Sequence, residues 1–171
     1  MKYTYYPGCS LLGTAQEYDQ STRAICKILG IELNELEGWS CCGASSAHST
    51  NEFLSMALPA RNLAIAKQYN QDLIVPCAAC YSRFKKVEQK HRNSPEVFED
   101  TYHGGVKIRN IIDFLLEDSI STRIKDAIKQ PLSSLKVVCY YGCLLVRPPK
   151  ITKAVQYEDP QGMDTIVDLL G

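Results

Sequence analysis

The sequence predicts an α/β protein, a Rossmann-like open parallel sheet with helices on both faces. Three observations lead there. Short apolar or β-favouring runs alternate with longer segments of helical period. Each run leads to a proline or glycine turn. Cysteines then follow those turns, at the carboxyl ends of the predicted strands, where such sheets place their sites.

Taken in order, Lys2-Tyr3-Thr4-Tyr5-Tyr6 is rich in β-favouring residues and ends at Pro7-Gly8, so it reads as the first strand, with Cys9 just beyond. Thr14-Ala15-Gln16-Glu17 has capping-box spacing and opens a helix. Its apolar stripe carries Tyr18, Thr22, Ile25, Cys26 and Leu29, and Gly30 stops it. Ile31-Glu32-Leu33 begins a second strand that leads through Gly38-Trp39 to Ser40-Cys41-Cys42-Gly43. Ser49-Thr50-Asn51-Glu52 offers a second capping box for a helix over 53–58. Pro59 is expected as the first residue of another helix, reaching about Tyr69. Leu73-Ile74-Val75, stopped by Pro76, suits a buried parallel strand. Cys77 and Cys80 follow on the first turn of a helix over 78–91. A loop is expected over 95–104. After Gly104-Gly105, residues Ile108, Ile111, Ile112, Leu115 and Leu116 predict an amphipathic helix, and a shorter helix over 120–129 stops at Pro131.

Composition narrows the function classes. With 171 residues, 45% of them apolar, the chain can bury a real core. Its formal net charge is zero and no long basic run occurs, so neither nucleic acid nor an anionic membrane is indicated as a partner. A charged-then-apolar leader and a bilayer-length apolar stretch are both missing, which predicts a cytoplasmic protein without membrane insertion. Eight cysteines in such a chain argue for metal or redox chemistry over a disulfide framework.

Five of those cysteines form the pattern C-x31-CC-x34-C-x2-C: Cys9, Cys41, Cys42, Cys77 and Cys80. Adjacent thiols are poorly placed to bond each other, because disulfide geometry is demanding and neighbouring side chains diverge. They make more sense wrapped around an object with several acceptors, such as a multi-iron cluster, with Gly43 letting the backbone turn closely past it. A cubane cluster takes four thiolates, so five leave a spare or indicate an unusual cluster. A zinc site of four cysteines is the main alternative, and it leaves the fifth thiol unexplained. A thioredoxin-like Cys77-x-x-Cys80 is a further one, and it leaves Cys9, Cys41 and Cys42 idle. Cys26, on an apolar helical stripe, and Cys139, within a strand-like run, read as inert core residues. His48 is a candidate proton donor to a departing thiolate, against the plain reading of a loop histidine. His91 and His103 carry no argument. Trp39 either shields the site from water or is an ordinary core aromatic. Lys85, Lys86 and Lys90 read as a solvated helix face.

After Pro131 the chain begins again. Val137-Val138-Cys139-Tyr140-Tyr141-Gly142-Cys143 resembles the first strand and its turn, with Gly142-Cys143 on Gly8-Cys9. Further on, 166–171 resembles 25–30. The expected organisation is a cysteine-rich domain over 1–131 and the opening of an incomplete second repeat over 132–171. That second copy would reach its own double cysteine about ten residues beyond Gly171.

Gly8-Cys9, Cys41-Cys42-Gly43 and Cys77-x-x-Cys80, followed by Gly142-Cys143, resemble the B subunit of heterodisulfide reductase, built from the cysteine-rich CCG domain also found in glycolate oxidase and lactate-utilisation iron–sulfur proteins. The resemblance covers essentially the whole chain. It implies a noncubane [4Fe-4S] cluster held by Cys9, Cys41, Cys42, Cys77 and Cys80, with Cys143 as the first ligand of a second set. It also implies reduction of the mixed disulfide of coenzyme M and coenzyme B, or an analogue, with electrons from the A and C subunits of heterodisulfide reductase as partners. The rival readings are a non-catalytic electron-transfer module and a zinc-stabilised interaction domain.

Overall fold

The computed structural model describes residues 1–44 and 46–171. The elements are β1 (Lys2–Tyr5), α1 (Gly8–Leu12), α2 (Gln16–Ile28), β2 (Glu32–Glu35), α3 (Ala47–Thr50), α4 (Glu52–Gln68), β3 (Leu73–Val75) and α5 (Ala78–Asn93). A 3-10 turn (Pro95–Phe98) leads to β4 (Ile108–Asn110), α6 (Ile111–Leu115), α7 (Asp118–Ala127), α8 (Cys143–Val146), α9 (Pro149–Thr152) and α10 (Gly162–Leu170).

The four strands form one all-parallel sheet in the order β2-β1-β3-β4. Sheet growth reverses between β1 and β3, which creates a topological switch point there. Open α/β sheets bind ligands outside the strand carboxyl ends at such a point. Side chains alternate across the sheet. Tyr6 joins Leu63, Phe84 and Val87 on the face covered by α4 and α5. Tyr5 joins Ile74, Cys26, Phe114 and Ile120 on the face covered by α2, α6 and α7. Full burial of each of these apolar side chains contributes roughly 1.5–3 kcal/mol.

The structure departs from the sequence reading in several places. The turn into α2 is closed by backbone, the Gly13 and Ala15 N–H groups donating to the Cys9 and Ser10 carbonyls of α1, and Thr14 makes no cap. Asn51, not Ser49, caps α4 by accepting the Leu54 N–H at 2.9 Å. That helix runs unbroken through Pro59, which is buried with Ala60, Asn62, Leu63 and Ala66. Pro59 cannot donate to the Ser55 carbonyl, so packing of this buried face has to offset the lost bond. Ile108 belongs to a fourth strand and not to an amphipathic helix, because β3 offers unpaired backbone groups that β4 satisfies. Asn110 then caps α6, accepting the Asp113 N–H at 2.9 Å.

Residues 137–141 form no strand, so Cys139 is half-exposed and not a core residue. A central strand needs neighbours on both sides, as β1 has β2 and β3. Residues 137–141 have no such neighbours among the described residues, and Val138 and Tyr140 are 93% and 90% exposed. The helices that follow pack on the helices covering the sheet, with α8 and α9 against α5, Tyr81 Oη donating to the Thr152 carbonyl, and α10 lying against α6 and α7. Lys85 is likewise not a solvated lysine, being paired with Glu88 and largely covered. Among the described residues, no helix is long and apolar enough to cross a membrane.

Candidate functional site

Three strand ends deliver the five thiols. Beyond β1 the chain passes Tyr6-Pro7-Gly8 and places Cys9 on α1. Gly8 has φ +73°, and a Cβ there would lie 3.0 Å from Cys80 Sγ, so backbone and thiol approach as closely as only glycine allows. Beyond β2, Leu36 anchors the chain in the core and the turn through Gly38 and Trp39 reaches Cys41 and Cys42. Beyond β3, Cys77 stands at the amino-terminal boundary of α5 and Cys80 in its first turn.

Cys9 Sγ and Cys41 Sγ lie 3.6 Å apart, and Cys42 Sγ and Cys80 Sγ lie 3.2 Å apart. Cys77 is hydrogen-bonded to Cys80. The two adjacent cysteines therefore serve different partners, as diverging neighbours should. The Gly43 N–H donates to Cys41 Sγ at 3.4 Å. Gly43 itself has φ +73°, and a Cβ there would meet Ala47 Cβ at 2.9 Å and Leu58 Cδ1 at 3.0 Å. Among the described residues, no three Cys, His, Asp or Glu side chains surround a single-ion position. The thiols are instead paired and spread, a soft donor set suited to thiophilic metals.

Two residues outside the cysteine pattern hold this arrangement, and the sequence reading missed both. Tyr6 is fully buried, edge-on to Phe84 at 4.8 Å and to Trp39 at 5.1 Å, and its hydroxyl donates to the Ser40 carbonyl at 2.8 Å. Asn62, also fully buried, accepts the Ser40 N–H at 2.9 Å and donates to the Ser40 carbonyl at 2.8 Å. A signal for Asn62 was present, since an amide among Ala60, Leu63 and Ala66 on a buried stripe must find partners inside.

The thiols titrate as a set. Hydrogen bonding to Cys80 holds Cys77 down at about 6 against the opposing effect of burial, aided by the Cys80 and Ala79 backbone N–H groups. The same kind of bond lowers Cys42, while its bonds to Cys42 and Cys77 push Cys80 up. Burial raises Cys41. Burial first, and then charge repulsion from the neighbouring cysteines, Cys80 foremost, raise Tyr6, which keeps it a neutral donor to Ser40.

The remaining candidates lie apart from this set. Cys26 is buried in the opposite core, where desolvation raises it to about 11. His48 is exposed on α3, its backbone N–H bonded to the Gly43 carbonyl. Cys143 is exposed at the start of α8, and Gly142 has φ −72°, unlike Gly8. His91 stacks near Tyr102 and Phe98, away from the thiols. Trp39 packs against the core that holds Cys42 and Cys80, its Nε1 donating to Glu35 at 3.3 Å. An apolar cleft of about 330 Å³ opens beside Cys77, walled by Tyr18, Pro76, Ile112, Tyr140 and Leu145.

A parallel sheet whose carboxyl edge gathers five thiols at the switch point defines a cysteine-rich α/β domain. Residues 3–85 match the model of the CCG family, described as "Cysteine-rich domain", and the stretch includes all five thiols. The chain is 33% identical over 178 residues to the 8-methylmenaquinol:fumarate reductase membrane anchor subunit of Wolinella succinogenes, covering 99% of this chain and 62% of that protein. It is 27% identical to the B subunit of the ferredoxin/F(420)H(2)-dependent CoB-CoM heterodisulfide reductase of Methanosarcina acetivorans, over 99% of this chain and 60% of that one. A protein of Archaeoglobus profundus, named as like the heterodisulfide reductase B subunit, is 28% identical, over 94% and 57%. The chain thus spans 57–62% of the length of these curated relatives, which are named as subunits or subunit-like proteins of reductases.

Proposed function

We propose that this protein is an iron–sulfur oxidoreductase subunit of the heterodisulfide reductase type, in which Cys9, Cys41, Cys42, Cys77 and Cys80 hold a noncubane [4Fe-4S] cluster. The observation that carries the reading is the gathering of five thiols from three strand ends, four of them in two pairs at 3.2 and 3.6 Å and Cys77 beside Cys80, with two left-handed glycines clearing space beside them. The five donors are all thiols, and their paired layout, with no three such side chains about one point among the described residues, fits a cluster better than one tetrahedral zinc ion. When bound, the cluster supplies one-electron steps and iron centres with affinity for sulfur.

The protein's own residues have three tasks. The cysteines bind the cluster at the sheet edge. Trp39 and Tyr6 exclude water from the inner side of the thiol set. The cleft beside Cys77 accepts the apolar part of a mixed disulfide, whose reduction takes two electrons and two protons and yields two thiols. His48, exposed one helical turn past Gly43, is the proposed source of a proton. Coenzyme M–coenzyme B or an analogue is the proposed substrate. The A and C subunits of heterodisulfide reductase, or equivalent donors, are the proposed partners, and the cytoplasm is the proposed location. Residues 132–171 are proposed as the opening of a second repeat in which Cys143 takes the place of Cys9, so that turnover draws on a second thiol set beyond those gathered here.

One observation favours a second reading. The Wolinella relative is named for a quinol:fumarate reductase, whose named reactants include no disulfide. On that reading the domain is an electron-transfer module.

Anaerobic purification tests the assignment. About four irons and four sulfides per chain are expected, falling steeply in Cys41→Ser and Cys42→Ser but not in Cys26→Ser. A colourless protein with stoichiometric zinc would overturn it. Dye-driven reduction of the mixed disulfide by the partner-reconstituted complex separates the two readings, since a pure electron-transfer module gives none.

A further inference from the structure

The loop that carries the double cysteine is fixed at one residue. Ser40 has its N–H bound to Asn62 Oδ1 at 2.9 Å, and its carbonyl receives both Asn62 Nδ2 and Tyr6 Oη at 2.8 Å. Three bonds from two fully buried side chains hold the peptide units on both sides of Ser40. Yet Ser40 Oγ is itself buried without a hydrogen-bond partner among the described residues. A buried hydroxyl left unpaired costs about 1–3 kcal/mol, and native proteins seldom carry one without reason. It lies one residue before Cys41, on a peptide bonded to the tyrosine whose hydroxyl feels Cys9, Cys41, Cys42 and Cys80. Two neighbouring donors already have partners: the Gly43 N–H bonds Cys41 Sγ, and the Trp39 indole bonds Glu35.

We infer that Ser40 is a cluster-contacting residue: its hydroxyl, held by the Asn62–Tyr6 clamp, donates a hydrogen bond to a sulfur of the bound cluster. The inference rests on the cluster reading above and adds to it a residue outside the cysteine pattern. A donor to a cluster sulfur stabilises the reduced, more negative state and so raises the reduction potential. Asn62 and Tyr6 are positioning residues, acting through the Ser40 peptide.

The test uses the anaerobically purified full chain and the variants Ser40→Ala and Ser40→Thr. Iron and sulfide are counted first. Two quantities are then read from the reduced protein: the midpoint potential, and the exchangeable-proton hyperfine coupling to the cluster in H2O and D2O. Ser40→Ala should keep its iron, lose one of the exchangeable couplings while those of backbone N–H groups such as Gly43 remain, and shift reduction about tenfold towards the oxidised form, or ~59 mV more negative for a one-electron couple. Ser40→Thr, which keeps the hydroxyl, should restore both signals. An unchanged potential or a set of exchangeable couplings identical to wild type in Ser40→Ala would overturn the inference, as would a Ser40→Thr protein that behaves like Ser40→Ala. Wild-type protein without iron would remove the cluster reading itself, an outcome visible before either variant is compared.

Discussion

Replacing Asn62 with Ala should destabilise the whole cysteine loop, and the cost can be worked from two bonds. Asn62 is fully buried and exchanges a hydrogen bond in each direction with Ser40. Truncation leaves the Ser40 N–H without its acceptor, at about 1–3 kcal/mol, and removes a second bond worth about 0.5–1.5 kcal/mol. The Ser40 carbonyl keeps its bond from Tyr6, which softens the second loss. A net cost of about 2–4 kcal/mol follows. Urea unfolding of the cluster-free protein, followed by fluorescence of the single tryptophan, Trp39, measures it. Trp39 adjoins Ser40, so local loosening should register there as well. Arg61→Ala is the control, since Arg61 sits beside Asn62 in sequence and makes one exposed bond to the Gly38 carbonyl. Its loss should fall within about 0.5 kcal/mol of wild type. If Asn62→Ala were equally mild, the clamp would not be holding the loop.

Gly43→Ala should lower both stability and iron loading, because a left-handed φ costs a side-chain-bearing residue about 1–2 kcal/mol and the new Cβ meets Ala47 and Leu58 at 3.0 Å or less. Thermal melts of the cluster-free protein check the first effect and iron analysis the second; wild-type values for both would show that the loop accommodates a methyl group there. In the cluster-free protein, Cys77 should react with iodoacetamide with a midpoint near pH 6, since it becomes thiolate as pH rises through its lowered value of about 6. Cys80→Ala removes the first cause of that shift, so the midpoint should rise. A wild-type midpoint above about pH 8, towards the ordinary thiol range, would contradict the hydrogen-bonded geometry. Tyr6→Phe should cost less than Asn62→Ala, because Asn62 still serves the Ser40 carbonyl; comparative urea midpoints decide the order.

Much of this protein was legible before folding. Period and punctuation alone locate β1, β2, β3 and α5, since Pro76 must end a buried run and Cys77 must follow it. The five-cysteine spacing likewise singles out a thiol set at strand carboxyl ends. Propensity failed where a neighbour decided the outcome. Ile108 follows a helical period, yet it pairs with β3 because the edge of that strand needs a partner. Val137 and Val138 look like a strand, but without flanking strands among the described residues they remain irregular and exposed. Pro59 resembles a helix start, and buried packing carries α4 through it.

The alternation of elements and the identity of the thiols thus follow from the order of residues alone, because both depend on local period and on residue chemistry. Folding in three dimensions decided which thiols touch, which of them share protons, and which polar groups steady the double cysteine. Cys9 meets Cys41 across 31 intervening residues, and Asn62 reaches Ser40 from another helix. Such contacts depend on strand order and helix packing, and a one-dimensional spacing carries no record of either.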